Sequence, residues 1–60
     1  MILNSLKKVR ESKSMTQKEL ADSVLLSERT IISLEGGAST TENNAKRLAI
    51  TLCVKIKDLL

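Results

Sequence analysis

Polar and charged side chains cluster near the middle of the chain. Ser27, Glu28, Arg29 and Thr30 bring hydroxyl groups, a carboxylate and a guanidinium together in one short stretch. At the first turn of a helix such groups suit contact with base edges in duplex DNA, because the ~12 Å major groove admits one helix. The chemistry that these residues favour is recognition through hydrogen bonds.

Two capped helices would position this cluster. Ser27 is a good N-cap, and a helix from about Glu28 to Leu34 would end at Gly36-Gly37. Ile31 and Leu34 form its inward side, with Leu26 as a further candidate. The side left facing outward carries Glu28, Arg29, Ile32 and Ser33.

The preceding helix has the sharpest local signal. Thr16-Gln17-Lys18-Glu19 is a capping box, in which the Thr16 hydroxyl accepts from the N3 amide and Glu19 accepts from the Thr16 amide. Leu20, Ala21 and Val24 follow as an inward face, and the helix ends near Val24. Two capped helices joined by a short connection are the arrangement of a helix-turn-helix, whose second helix enters the major groove.

The rest of the chain is also predicted to be helical. A first helix from about Asn4 to Ser12 carries an inward stripe of Leu6, Val9 and Lys13, which Ile2 extends, and Met15 packs inward after it. A fourth helix from about Glu42 to Leu52 carries Ala45, Leu48, Ala49 and Leu52 on one stripe. Val54 to Leu60 would form a short fifth helix or turn, so the fold class is all-α.

Composition narrows the classes of function. The 60 residues suffice for one domain, 1–60, and the absence of histidine with a single cysteine excludes an intrachain disulfide and a zinc site. The net charge of +3 is compatible with nucleic acid without being diagnostic of it. Because the chain has no aromatic residue on which bases could stack, duplex DNA is favoured over single strands or RNA.

Other classes of protein are disfavoured. We see no glycine-rich phosphate loop, no metal-ligand cluster and no room for a substrate pocket, so we expect no enzymatic activity, cofactor, metal or small-molecule ligand. No apolar run approaches the ~20 residues of a membrane span, and no signal peptide is recognisable. A lone thiol fits a reducing cytosol, which makes a cytoplasmic protein the expectation.

The motif residues resemble those of a known family. Thr16-Gln17-Lys18-Glu19-Leu20-Ala21, Leu26-Ser27, Thr30-Ile31, Leu34-Glu35 and Gly37 are similar to the Cro and phage-repressor type (XRE-like) of helix-turn-helix. The resemblance extends outward to Arg10 and to Val54–Leu60. It implies a five-helix, lambda-repressor-like DNA-binding domain, a bacterial or phage-encoded regulator that binds a near-palindromic operator as a homodimer.

The resemblance also implies roles for particular residues. Glu28, Arg29, Ile32 and Ser33 would read bases, with Arg29 donating to guanine, Glu28 accepting from cytosine and Ile32 packing on a thymine methyl. Alternatives remain: Arg29 as a solvated or phosphate-binding side chain, Glu28 as an acid that stabilises the helix dipole, and Ile32 as an ordinary exposed residue.

Phosphate contacts are implied on both sides of the reading helix. The residues at matching positions are Thr16, Gln17, Lys18, Ser27, Thr30, Gly37, Ser39, Thr40 and Asn43. For Gln17 the alternative is a first-turn polar residue with no ligand, and for the loop it is simple solvation.

Three further expectations concern structure. Arg10 and Glu35 match the family's partly buried ion pair. Ser14, Leu25 and Cys53 stand where the family favours glycine, so a left-handed backbone at Leu25 would cost ~1–2 kcal/mol, while Cys53 is expected to be a small buried hydrophobe.

A second function class stays open beside the regulator. Ile50, Ile56, Leu59 and Leu60 are candidates for a dimer contact, although Leu59 is preferred as part of the monomer core. The alternative function is an antitoxin-like or other protein-interaction module with the same fold, in which DNA binding is secondary.

Overall fold

Five helices make up the protein. The computed structural model describes residues 1–60, and the only β-type pairing in it is an isolated antiparallel bridge between Ile2 and Ser39. The helices are α1 Leu6–Ser12, α2 Gln17–Val24, α3 Glu28–Glu35, α4 Glu42–Leu52 and α5 Ile56–Leu59. This confirms the all-α prediction and the number of helices. None of the helices has the length and apolar character that crossing a bilayer requires.

Side-chain caps explain where three of the helices begin. The Thr16 hydroxyl accepts from the Glu19 amide at 3.0 Å, and the Thr16 amide donates to the Glu19 carboxylate at 2.8 Å, which confirms the predicted capping box. Ser27 caps α3 by accepting from the Thr30 amide at 3.1 Å. Thr41 caps α4 in the same way through the Asn44 amide, also at 3.1 Å.

Aliphatic side chains alone form the core. Twelve buried residues make one cluster: Leu3, Leu6, Leu20, Ala21, Val24, Ile31, Leu34, Ala45, Leu48, Ala49, Leu52 and Leu59. The predicted inward faces of α2, α3 and α4 are all in it. α3 packs against α2 and α1, α2 also packs against α4, and α5 closes against α4 and α1.

The N-terminal prediction was wrong in detail. α1 begins at Leu6, and Ile2 is exposed while its neighbour Leu3 is buried. Residues 1–3 lie in extended backbone beside Ser39, so successive side chains point in opposite directions and Leu3 takes the inward place. Lys13 is exposed as the C-cap of α1 and does not continue the inward stripe.

Two predictions near the C-terminus need correction. Cys53 is exposed, because it ends α4 in the left-handed conformation and its side chain leaves the inward stripe. Leu59 is completely buried in the core, so it cannot serve as a dimer contact. For Leu59 the core role was the preferred alternative, and its burial agrees with that preference.

Left-handed backbone occurs at the three positions where the family favours glycine. Ser14, Leu25 and Cys53 have φ of 58°, 59° and 59°, and no other residue except Gly37 has a positive φ. At Leu25 this conformation ends α2 and makes the turn to α3. The turn therefore keeps its left-handed geometry and carries the strain that a Cβ causes there.

Replacing Leu25 by glycine should stabilise the protein. The side chain is 84% exposed, so little packing is lost, and relief of the left-handed strain exceeds the added entropy of the unfolded chain by about 0.5–1 kcal/mol. Thermal unfolding followed by circular dichroism should show a midpoint a few degrees higher. Leu25→Ala keeps the Cβ and should change little. A glycine variant with a midpoint no higher than that of the alanine variant would show that relief of strain does not exceed the entropy cost of glycine.

Candidate nucleic-acid interface

One side of α3 is anchored and the other is open. Ile31 and Leu34 are buried against the core and fix the helix. The four predicted base-reading residues, Glu28, Arg29, Ile32 and Ser33, are all exposed. Ile32 is 50% exposed, so an apolar side chain stands between polar ones on this open face.

The charged groups of this face have no partner within the protein. Ion pairs occur only between Arg10 and Glu35, Arg10 and Glu11, and Lys46 and Glu42. Arg29 therefore presents its guanidinium fork without a carboxylate to satisfy it. Glu28 lies in the first turn of α3, where its charge also interacts favourably with the helix dipole.

The start of α2 places further donors near α3. Lys18 is exposed, and Gln17 is half-buried with its Nε2 donating to Glu35 Oε1 at 3.0 Å. First-turn amides of a helix have no intrahelical acceptor, so those of Gln17 and Lys18 are available to an anion. The Thr16 oxygen already accepts from the Glu19 amide, which leaves the Thr16 hydroxyl hydrogen as a donor.

The hydroxyls at the start of α3 form a pair. Ser27 Oγ and Thr30 Oγ1 lie 2.8 Å apart, and either can be the donor. Only one hydroxyl hydrogen is used between them, so the other is free for an acceptor outside the protein. Ser27 is exposed and Thr30 half-buried at this end of the helix.

In the loop after α3, side chains are available to a ligand, but the amides of Gly37 and Thr40 are already hydrogen-bonded within the protein. The Gly37 amide donates to the Leu34 carbonyl at 3.2 Å, and the Thr40 amide donates to the Met1 carbonyl at 2.7 Å. Gly37 has no other donor, and its φ of 108° shows that it shapes the turn. Ser39 and Asn43 are exposed and Thr40 is half-buried, so any phosphate contact from this loop would come from their side chains.

Arg10 and Glu35 lie together beneath this surface. Arg10 Nε donates to Glu35 Oε2 at 2.5 Å and Nη2 to Oε1 at 3.2 Å, while Nη1 donates to the Met15 carbonyl at 2.6 Å. Their side chains are only 9% and 4% exposed. The pair thus ties α1 to the end of α3 and is largely removed from water.

The two charges of the pair shift each other's pKa. The hydrogen bond to Glu35 raises the pKa of Arg10 despite its burial. Burial raises the pKa of Glu35, but hydrogen bonds from Arg10 and Gln17 outweigh that effect and hold the pKa below its usual value. The hydrogen bond from the Thr16 amide likewise lowers the pKa of Glu19.

Stability should therefore fall in acid. A carboxylate whose pKa is lower in the folded state stabilises the protein above its ordinary value of 4.5 and loses that contribution as pH falls through the lower folded value. Urea midpoints should be nearly flat from pH 8 to about 6, since the chain has no histidine to titrate there, and should decline below about pH 4.5. Glu19→Gln should flatten the decline slightly, and an undiminished midpoint at about pH 3 would contradict the expectation.

The dimer candidates differ in exposure. Ile50 is 76% exposed, Leu60 is exposed and Ile56 is half-buried. Ile50 and Leu25 share a shallow hollow of about 220 Å³, lined also by Ser23, Val24, Arg47 and Thr51. None of the predicted base-reading residues lines this hollow.

Sequence reasoning missed two tertiary hydrogen bonds around the site. One is the contact of Gln17 with Glu35, described above. The other joins α4 to α2, where Arg47 Nη2 donates to the Val24 carbonyl. A cation near a helix C-terminus is a known partner for such carbonyls, but nothing in the local pattern indicates that Arg47 reaches across to α2.

Comparison with known proteins agrees with this geometry. A family model described as helix-turn-helix matches residues 6–59, which is nearly the whole chain. No curated protein matches the sequence. The structure also contains no group of three or more acidic or cysteine side chains that could hold a metal ion.

Proposed function

The chain belongs to the Cro/C1-type helix-turn-helix family, a family of DNA-binding domains, and on that premise we propose that it represses transcription by binding a near-palindromic operator as a homodimer. The observation that carries the proposal is the open face of α3. Its guanidinium, carboxylate, hydroxyl and aliphatic side chains are exposed and unpaired, as a surface that reads base edges must be.

Base reading is assigned to four side chains of α3. Arg29 would donate two hydrogen bonds to guanine, Glu28 would accept from cytosine, and Ile32 would contact a thymine methyl. Ser33, one turn further along, would donate to or accept from a neighbouring base edge. Ile32 in particular gains a reason for its exposure, because a methyl group in the groove would cover it.

Phosphate contacts would hold α3 in register. The proposed donors are the side chains of Thr16, Gln17, Lys18, Ser27, Thr30, Ser39, Thr40 and Asn43, together with the first-turn amides of α2. Contacts of this kind fix orientation on the duplex and carry no sequence information. Gly37 would contribute by shaping the loop and not as a donor, since its amide is already engaged.

The size of the domain supports pairing of two copies. Its extents are 21 × 20 × 17 Å, whereas successive major grooves on one side of B-DNA are ~34 Å apart. A single copy therefore reaches only one groove. Ile50, Ile56 and Leu60 remain candidates for the contact between copies, since two are exposed and Ile56 is half-buried.

Selection of bound sites from random duplexes tests the proposal directly. The protein should enrich one sequence with two inverted half-sites about one helical turn apart. If Lys18 neutralises one phosphate in each half-site, the affinity of the dimer should fall about tenfold between 50 and 200 mM salt. Failure to bind any duplex at low salt would refute DNA recognition, and enrichment of single half-sites would refute the dimer.

A second candidate function rests on a different surface. Leu25 and Ile50 are the two most exposed large aliphatic side chains, and they flank one hollow on the side formed by α2 and α4. Exposed apolar side chains that adjoin one another favour a protein partner. A protein-interaction module is therefore the alternative, and it would be preferred if the chain showed no salt-sensitive binding to duplex DNA.

A further inference from the structure

Glu35 is the only acidic residue that is not exposed, and it connects three helices. It closes α3, and both of its oxygens accept hydrogen bonds: Oε2 from Arg10 Nε at 2.5 Å, and Oε1 from Arg10 Nη2 at 3.2 Å and Gln17 Nε2 at 3.0 Å. Arg10 lies on α1 and Gln17 begins α2. The carboxylate thus links the scaffold to a residue proposed to touch DNA.

The chemistry of the carboxylate dictates how Gln17 is turned. An ionised carboxylate only accepts hydrogen bonds, whereas a carboxamide has one accepting side and one donating side. Toward Glu35, Gln17 must therefore present Nε2. This nitrogen carries two N–H groups, and the contact with Glu35 uses one of them.

We infer that Glu35 is a positioning residue for DNA binding, which locks the Gln17 carboxamide so that its second N–H faces the phosphate backbone. The inference rests on the proposed function. A phosphate offers only acceptor oxygens, so a flipped carboxamide would present Oε1 to it and repel it. With Glu35 in place that orientation is excluded before DNA arrives, and less rotamer freedom is lost on binding.

Gln17 can be observed without ambiguity, because it is the only glutamine in the chain. In an NMR spectrum of the ¹⁵N-labelled free protein, one of its two side-chain amide protons should be shifted downfield and protected from exchange. The side-chain amides of Asn43, which is exposed and makes no such contact, are the internal control. Two Gln17 protons that behave like those of Asn43 would overturn the inference.

Titration of the wild-type protein with a selected duplex separates positioning from mere packing. The protected Gln17 proton should stay in place on binding, while the other one shifts as it meets a phosphate. Loss of protection of the first proton would show that Gln17 leaves Glu35 to bind DNA, which contradicts the inference. A protein that binds no duplex refutes the proposed function, whereas the lock is still read from the free protein.

A double-mutant cycle measures the coupling in affinity. Gln17→Met removes the donors and keeps the length of the side chain, and it should weaken binding about tenfold at every salt concentration, since Gln17 is neutral. In an Arg10→Met/Glu35→Leu background, where the lock is absent, the same change should cost less than about twofold. Lys18→Ala is the matched control and should cost the same in both backgrounds. Equal losses for Gln17→Met in both backgrounds would overturn the inference.

Discussion

Arg10→Ala should remove a large part of the stability of the protein. The substitution leaves the Glu35 carboxylate, whose side chain is 4% exposed, with Gln17 as its only remaining hydrogen-bond donor. Removing one member of a buried ion pair costs about 3–5 kcal/mol. A domain of this length has a total stability of only about 3–9 kcal/mol. Urea or thermal unfolding followed by circular dichroism measures the loss.

Two variants distinguish this buried pair from charge effects in general. Lys46→Ala breaks the ion pair in which Lys46 Nζ lies 3.3 Å from Glu42 Oε1. The two side chains are 56% and 68% exposed, so this loss should cost less than about 0.5 kcal/mol. Arg10→Met/Glu35→Leu replaces both charges by apolar groups of similar size and should recover most of the stability. If Arg10→Ala costs no more than Lys46→Ala, the pair contributes nothing measurable to the fold.

Local signals in the sequence were enough to predict the helix-turn-helix. The capping box of Thr16 and Glu19 and the N-cap Ser27 each depend on residues at most three positions apart. Such bonds need no distant partner, so the local sequence alone indicates where α2 and α3 begin. The inward faces of α2, α3 and α4 could be predicted for a similar reason, because helical periodicity alone selects them.

The errors occurred where distant residues decide the conformation. Ile2 was placed on the inward stripe because the sequence does not show that residues 1–3 are extended beside Ser39. Cys53 was assigned to the core from its small apolar side chain, but its left-handed backbone turns that side chain outward.

In the candidate site, too, the local features could be predicted from the sequence and the long-range contacts could not. The composition and order of the reading face, Glu28 to Ser33, follow from an N-cap and a helical period, so exposure of all four residues was predictable. Of the contacts that hold this face in place, only the ion pair of Arg10 and Glu35 could be predicted, and that prediction came from family resemblance. The link from Glu35 to Gln17 spans 18 positions and depends on how α2 packs against α3, which no local pattern encodes.

Arg29→Ala should have the largest effect on sequence preference. A guanidinium that donates two hydrogen bonds to guanine discriminates against other bases by about 1–3 kcal/mol. A palindromic operator would contain this contact once in each half, so affinity for the selected operator should fall by about 2–6 kcal/mol. Repeating the site selection with the variant should show one relaxed base position in each half-site and unchanged preferences elsewhere.

Lys18→Ala is the control that distinguishes loss of a phosphate contact from loss of a base contact. Lys18 is exposed in the first turn of α2 and is assigned to phosphate, so its loss should weaken all sequences alike and reduce the salt slope by about one. Arg29 differs because its fork is free of any carboxylate in the protein and lies on the open side of α3. Were Arg29→Ala to weaken every duplex equally, Arg29 would be a phosphate contact, and base reading would rest on Glu28, Ile32 and Ser33.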